Sequence, residues 1–540
     1  MLRGRIALAL VALGSCAAPR SASPPAAPGA GAGGALEAWA PGAVFYEVFV
    51  RSFQDSDGDG KGDLRGLVAR LDHLNDGDPA AGDDLGVDAL WLMPVFESPS
   101  YHGYDTTDYE TIERDYGTAA DFDRLLHEAH RRGMRVIVDL VLNHTSSEHP
   151  WFVESASSPS SPRRDWYVWS ATNPRWTQPW NPSAGTWHPL RGAYYYGLFW
   201  EGMPDLNHRN AEVREELKRI AARWLARGVD GFRLDAVRHL VENGPGAQND
   251  QPESHAFLRE LAAHLRAVKP DVVLVGEAWA ETPVIATYYG STARVPGGDE
   301  LPLNFDFPLA RAVVDGARSG EAAGIARKLD EIRRVYPPGA TDVPFLTNHD
   351  MRRVASELEG DPGRLRSAAA VLLTLPGTPF LYYGEEIGLP NGEGGGDEAK
   401  RTPMPWDGSA GAGFTTGRPW YPFARAGPST NVAAQRRDPG SILAWYRTLI
   451  RARHASAALA RGGVDVLASD GPFLALSRTA ANERALVVHN LGDRPLARSR
   501  AVPGRSAERL FASPGAEVSL AGGEARVSLP PHGSGAFRVK

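Results

Sequence analysis

Short apolar runs alternate with amphipathic helical patterns eight times between residues 44 and 457, and this rhythm limits the fold more than any other feature. The runs predict strands at 44–53, 89–96, 134–142, 231–236, 272–278, 303–307, 344–347 and 379–383. Helical periodicity fills the gaps, as at 119–132, 211–227 and 253–268. Eight strand–helix alternations match a closed parallel (β/α)8 barrel, an α/β fold. A doubly wound open sheet would be the alternative, but no Gly-x-Gly-x-x-Gly turn follows an early strand.

Two departures from the rhythm divide the chain further. The third strand is followed by an excursion at 145–205, far longer than an ordinary connection. Seven of the 14 tryptophans lie between Trp151 and Trp200. Aromatic density of that kind argues for a folded insertion, with one or two rings facing a ligand. After a last helix at 441–454 the pattern changes to short alternating strands, predicting a small all-β sandwich at 458–540. The barrel then comprises 41–144 and 206–457.

Charged residues stand where the strands end, which is where barrel enzymes keep their chemistry. The fourth strand reads Gly-Phe-Arg233-Leu-Asp235, and a spacing of two puts arginine and carboxylate on one face. A guanidinium that close keeps Asp235 ionised, as a nucleophile requires. The fifth strand is an apolar run ending in Glu277, and apolar surroundings raise a carboxyl pKa, as a general acid requires. The seventh ends in His349-Asp350 and the third in Asn143-His144. A lone Asp or His at a strand end is usually a cap or a satisfied polar group. Four such ends in one barrel are hard to explain as scaffolding, and carboxyls with opposed pKa demands are what glycoside hydrolysis uses.

After the first strand, Asp55, Asp57, Asp59 and Asp63 occupy positions 1, 3, 5 and 9 of a loop. Gly60 stands at position 6 and the backbone of Lys61 at 7, as in an EF-hand calcium loop. Position 12 is Gly66 and not the bidentate Glu, so the loop is a shortened relative that predicts a Ca2+ site.

At the N-terminus, Arg3 and Arg5 precede an apolar stretch and small residues, the pattern of a secretory signal at 1–15. Leu13-Gly-Ser-Cys16 resembles a bacterial lipobox, and residues 16–40, rich in Ala, Pro and Gly, fit a tether. An exported cell-envelope lipoprotein is expected; an ordinary secreted or periplasmic protein with an incidental Cys16 is the alternative. As the single cysteine, Cys16 leaves no disulfide framework and no thiol chemistry in the body. A net charge of −7 offers no basic stripe for nucleic acid. Mean hydropathy of −0.31 excludes a polytopic membrane protein, leaving the lipid anchor as the only membrane contact expected.

The motifs together resemble the α-amylase superfamily of glycoside hydrolases, family 13, over nearly all of residues 41–540. The matching segments are DLVLNH at 139–144, GFRLDAVRH at 231–239, GEAW at 276–279, FLTNHD at 345–350, YHGY at 101–104 and MPDLN at 203–207. The resemblance implies Asp235 as nucleophile, Glu277 as acid/base and Asp350 as the residue holding the distorted sugar's hydroxyls. It implies substrate contacts from His102, Tyr104, His144, Arg233 and His349. It also implies a second Ca2+ site from Asn143, Asp205 and the backbone of His239. The substrate would be starch or a maltooligosaccharide, cleaved at α-1,4 bonds with retention by a monomeric enzyme. Specificity signals point two ways. RTPMPWD at 401–407 is similar to the oligo-1,6-glucosidase side, whereas DAVRH and EAW look like true α-amylases. An exo-acting α-glucosidase or glucosyltransferase is therefore the second expectation, and a non-catalytic sugar-binding surface protein the third.

Overall fold

The computed structural model describes residues 39–79, 82–293, 295 and 297–540. The expected signal peptide, lipobox and nearly all of the tether lie outside the described residues. Trp39 and Ala40, expected in the tether, belong to the folded body: the Trp39 ring stacks on Phe45 at 5.5 Å and its indole N–H donates to the Asp271 carbonyl. Ala40 is buried. No described helix is long and apolar enough to cross a membrane.

Eight parallel strands form one sheet: β1 (Phe45–Val48), β2 (Ala89–Leu92), β3 (Arg135–Leu140), β4 (Gly231–Leu234), β5 (Val273–Gly276), β6 (Leu303–Phe305), β7 (Thr341–Val343) and β8 (Phe380–Tyr382). Their order is β7-β6-β5-β4-β3-β2-β1-β8. The barrel closes where Phe345 bridges to Phe380 and the Phe380 N–H donates to the Pro344 carbonyl at 3.0 Å. The sequence placed the seventh strand at 344–347; the paired segment lies just before it. Pro344 has no N–H to give a ladder, so regular pairing stops there. The first apolar run likewise divides, with a helical turn at Val50–Phe53 directly after β1.

Alternation along the strands decides what fills the barrel. Phe45, Trp91, Ile137, Val275, Phe305, Phe345 and Phe380 form a closed interior cluster. Glu47 pairs in register with Trp91 and Tyr382, and Asp139 with Arg233, so a polar layer sits above this apolar floor. Around the barrel, helix α1 (Ala211–Arg227) buries Val213, Leu217, Ile220, Ala221, Trp224 and Leu225, the spacing of one helical stripe. It starts at an Asn210 side-chain cap and ends at Gly228, left-handed at φ 116°.

The excursion after β3 is folded. Trp169–Ser170, Trp187–Leu190 and Ala193–Tyr196 make a three-stranded antiparallel sheet, and Trp187, Tyr196 and Leu198 form its small core. At the C-terminus a five-stranded and a three-stranded antiparallel sheet face each other over Phe473, Leu486, Val488, Val527, Leu529 and Phe537. Two buried guanidiniums stand where this sandwich meets the barrel. Arg453 donates to the carbonyls of Leu373, Leu375 and Gly377, and Arg478 to those of Thr374, Gly462 and Gly463. Leu373 and Thr374 end the helix Pro362–Thr374, whose last carbonyls have no partner within the helix. Burial pulls Arg453 down to about 10, with Asp88 only partly opposing it.

Candidate active site

The loops at the C-terminal ends of the strands bring the predicted residues to one place. Arg233 is the hub. Its Nη1 lies 2.8 Å from Asp139 Oδ1 and 2.7 Å from Asp235 Oδ1, and its Nη2 lies 3.0 Å from Glu277 Oε2. It projects from β4 into the barrel mouth and is fully buried. One guanidinium therefore serves three strand ends, with hydrogen bonds to charged groups that are stronger than neutral ones.

The two key carboxyls differ in environment. Burial pushes Glu277 up to about 8, against the pull of Arg233. Glu277 Oε2 also accepts the backbone N–H of Ala236 at 2.9 Å. Ala236 adopts φ 49°, a left-handed conformation that a β-carbon disfavours, immediately after Asp235. The strained turn aims that N–H at Glu277, and such strain characteristically sits at functional sites.

Asp350 is held from two sides. His349 Nε2 lies 3.1 Å from Oδ2 and Arg401 Nη2 lies 2.8 Å from Oδ1. Burial opposes its ionisation, but His349 and Arg401 outweigh that and hold the carboxyl far below the usual carboxylate range. Tyr104 lies against His349, with ring centroids 5.5 Å apart and planes at 16°, and its hydroxyl donates to Asp139 Oδ2 at 3.0 Å. His144 is buried beside the Phe199 ring, and burial lowers its pKa. His102 stands at the rim, its Nδ1 3.0 Å from the Ser100 hydroxyl.

A cavity of about 630 Å3 opens beside Glu277, lined by Trp180, Phe199, Ala236, Arg238, His239 and Trp279. A second of about 260 Å3 includes Trp279, Thr347, Asp350 and Met351. Of the seven clustered tryptophans, Trp166 and Trp187 are buried, while Trp180 (52% exposed) alone lines the cavity beside Glu277. Trp200 is also exposed, at 48%, but does not line that cavity.

The predicted metal residues separate into two sets. Asp55, Asp57 and Asp63 offer carboxylate oxygens all within 4.8 Å of one another. Asp55 also accepts backbone N–H groups from Asp57, Gly58 and Gly60, which winds the loop around it. This oxygen set suits a hard cation. Asp59 is exposed and stands outside the trio, and the Lys61 ammonium turns away to Asp115 at 2.8 Å. In the second set, Asn143 Nδ2 donates to Asp205 Oδ2 at 3.0 Å, and Asp205 Oδ1 accepts from the Leu198 N–H. His239 Nδ1 meets the Gln248 carbonyl at 3.2 Å. Asn143 and Asp205 are thus bonded to each other, and Asn143 Oδ1 is buried without a partner.

The α-amylase catalytic-domain model matches residues 47–462. The chain belongs to the α-amylase family. Alpha-amylase 3 of Dictyoglomus thermophilum is 40% identical over 459 residues, covering 84% of this chain and 86% of that protein. An oligo-1,6-glucosidase of Parageobacillus thermoglucosidasius is 33% identical, with 84% and 91% covered. The crystal structure of an α-amylase from H. orenii superposes with a TM-score of 0.84 at 38% identity, covering 92% of this chain and 99% of that one. The chain is thus a glucan-active enzyme of the glycoside hydrolase and transferase type.

Three α-amylase site residues were not among those predicted. Glu47 and Asp139 face the barrel mouth from β1 and β3, and strand alternation alone would have placed both there. Arg401 reaches Asp350 from the RTPMPWD segment, about fifty residues on; sequence shows the motif but not the contact.

Proposed function

We propose that this chain is a retaining hydrolase that cleaves internal α-1,4 bonds of starch and maltooligosaccharides. The observation that carries the reading is the pair of carboxyls on adjacent nitrogens of Arg233, one of them pushed up to about 8. Double displacement requires the two carboxyls ~5–5.5 Å apart, against ~6.5–9.5 Å for inversion, and a shared guanidinium keeps them close to each other. Asp235, ion-paired and partly open to the cleft, attacks the anomeric carbon. Glu277, protonated near neutrality, gives its proton to the leaving oxygen, and as the carboxylate then activates water for the second step. The aglycone leaves as an alcohol, and water restores Asp235. Asp350, fixed by His349 and Arg401, binds the hydroxyls of the distorted ring, while Tyr104 and His144 frame it. Arg233 balances the charge that shifts between the two carboxyls.

The cavity beside Glu277 takes the leaving-group side of the glucan, with Trp180 and Trp279 as flat apolar surfaces for sugar faces. A Ca2+ ion held by Asp55, Asp57 and Asp63 would pin the loop after β1 and supply no acid–base chemistry. The lipobox-like Cys16 supports export and lipid anchoring, with the enzyme acting as a monomer. Metabolic labelling with palmitate, lost in Cys16→Ser, tests the anchor.

A product time course on soluble starch, maltotriose, pullulan and isomaltose tests the activity. Early internal cleavage giving α-configured oligosaccharides is expected. The RTPMPWD segment supports a second reading, an exo-acting α-glucosidase or glucosyltransferase, because its Arg401 reaches Asp350 directly. Free glucose from maltose or isomaltose as the first product would decide for that reading.

A further inference from the structure

Glu47 occupies the one position in β1 that faces the polar layer at the barrel mouth. It is 1% exposed, and its Oε1 lies 2.6 Å from His349 Nδ1. The other nitrogen of the same ring, Nε2, lies 2.6 Å from the Tyr104 hydroxyl and 3.1 Å from Asp350 Oδ2. The ring therefore joins a buried carboxylate below to the sugar-binding carboxylate above. Trp91 closes one side edge-on at 5.6 Å, and the Arg401 guanidinium bonds the His349 carbonyl at 3.1 Å.

We propose that Glu47 is a positioning residue for the glycosidic reaction, keeping His349 doubly protonated so that its Nε2–H is presented to Asp350 and the sugar. The proposal rests on Asp350 holding the substrate as set out above. The chemistry follows from donor counting. A neutral imidazole carries one N–H; with Nδ1 bonded to Glu47 it would have none to offer at Nε2 if Nδ1 kept the proton. Two carboxylates on opposite nitrogens favour the form with two donors.

The charged surroundings agree. Facing His349 are Glu47 from β1, Asp139 from β3, Tyr104 from the loop after β2, Asp350 beside it and the Arg401 guanidinium on its carbonyl, while Arg233 from β4 acts on Glu47 and Asp350. Burial works against a charged ring, yet Asp350 and Glu47 outweigh it and push His349 up to about 9. Burial also pushes Glu47 up, with His349 pulling against it. Removing the Glu47 charge would leave burial less opposed, and the ring would release its proton at lower pH.

Glu47→Gln keeps a hydrogen-bond acceptor for Nδ1–H at the same place and removes only the charge. The decisive measurement is the 15N chemical shift of the His349 ring across pH, in the whole protein, with and without the substitution. The parent ring is expected to stay doubly protonated through pH 8, and the variant to titrate about one unit lower or more. In parallel, kcat on maltotriose should fall about twofold at pH 8 for a one-unit shift and about tenfold for a two-unit shift, and hardly at all at pH 5.5, because a ring at about 9 is mostly protonated at pH 8 and one at about 8 is half protonated. Glu47→Asp, which retains the charge, should restore the ring's protonation at pH 8. A neutral His349 in the parent protein at pH 7, or identical titrations in parent and Glu47→Gln, would overturn the proposal. Because the ring titration needs no turnover, it reports even if the assigned reaction proves wrong.

Discussion

Arg233 holds Asp235 and Glu277 at once, 2.7 Å from one and 3.0 Å from the other, on a side chain that is itself fully buried. A buried cation shared by two carboxyls makes their protonation states interdependent. Asp235→Asn removes the proposed nucleophile while preserving shape and one hydrogen bond. Turnover on starch should fall by at least ~10³-fold, with binding of maltooligosaccharides and the circular dichroism spectrum unchanged. Residual hydrolysis at a tenth of the parent rate would refute Asp235 as nucleophile.

The pH dependence follows from Glu277. In the proposed mechanism its acid form is the active one, and burial raises its pKa to about 8. Activity should therefore persist through neutrality and decline as pH rises through about 8, several units above the limb that an ordinary carboxyl acid would give at about 4.3. A pH profile of kcat/KM on a short maltooligosaccharide reads this directly. An alkaline limb near pH 5 would remove Glu277 from the acid role.

Trp180 is the one member of the tryptophan cluster that lines the cavity beside Glu277, and the proposed function gives it the glucan to stack on. Trp180→Ala should raise KM for long glucans roughly tenfold, the equivalent of losing ~1–2 kcal/mol of aromatic contact. Cleavage of a substrate with a small leaving group should change little. Equal losses on both substrates would show the ring to be structural.

Chelation should lower the melting temperature if Asp55, Asp57 and Asp63 bind Ca2+. At a hundredfold excess over Kd, a bound ion contributes ~2.7 kcal/mol of stability. The shift should vanish in Asp57→Ala, whose carboxylate is exposed and carries no core packing. Identical melting of parent and variant with and without chelator would dismiss the site.

The barrel and its mouth were legible because two simple rules act together. Strand alternation sends Arg233 and Asp235 to the same side, and an apolar run ending in Glu277 forecasts its raised pKa. Sequence failed where backbone hydrogen bonding decides, as at Pro344, which displaces β7 by three residues. It failed again where a contact joins distant segments. Nothing near Asp350 announces Arg401, and nothing near His349 announces Glu47, 302 positions earlier. Trp39 was hidden for a third reason: a single aromatic after an Ala-, Pro- and Gly-rich tract carries no period to read.

The two guanidiniums between barrel and sandwich have a bearing on heredity. Arg478 belongs to the sandwich, yet the Thr374 carbonyl it satisfies belongs to the barrel's own helix. A gene shortened after Gly462 would take away that hydrogen bond and leave the Thr374 carbonyl to water. It would also strip apolar cover from the helix. A gene for the barrel alone would therefore encode a helix whose end lacks the partner that the β-sandwich supplies.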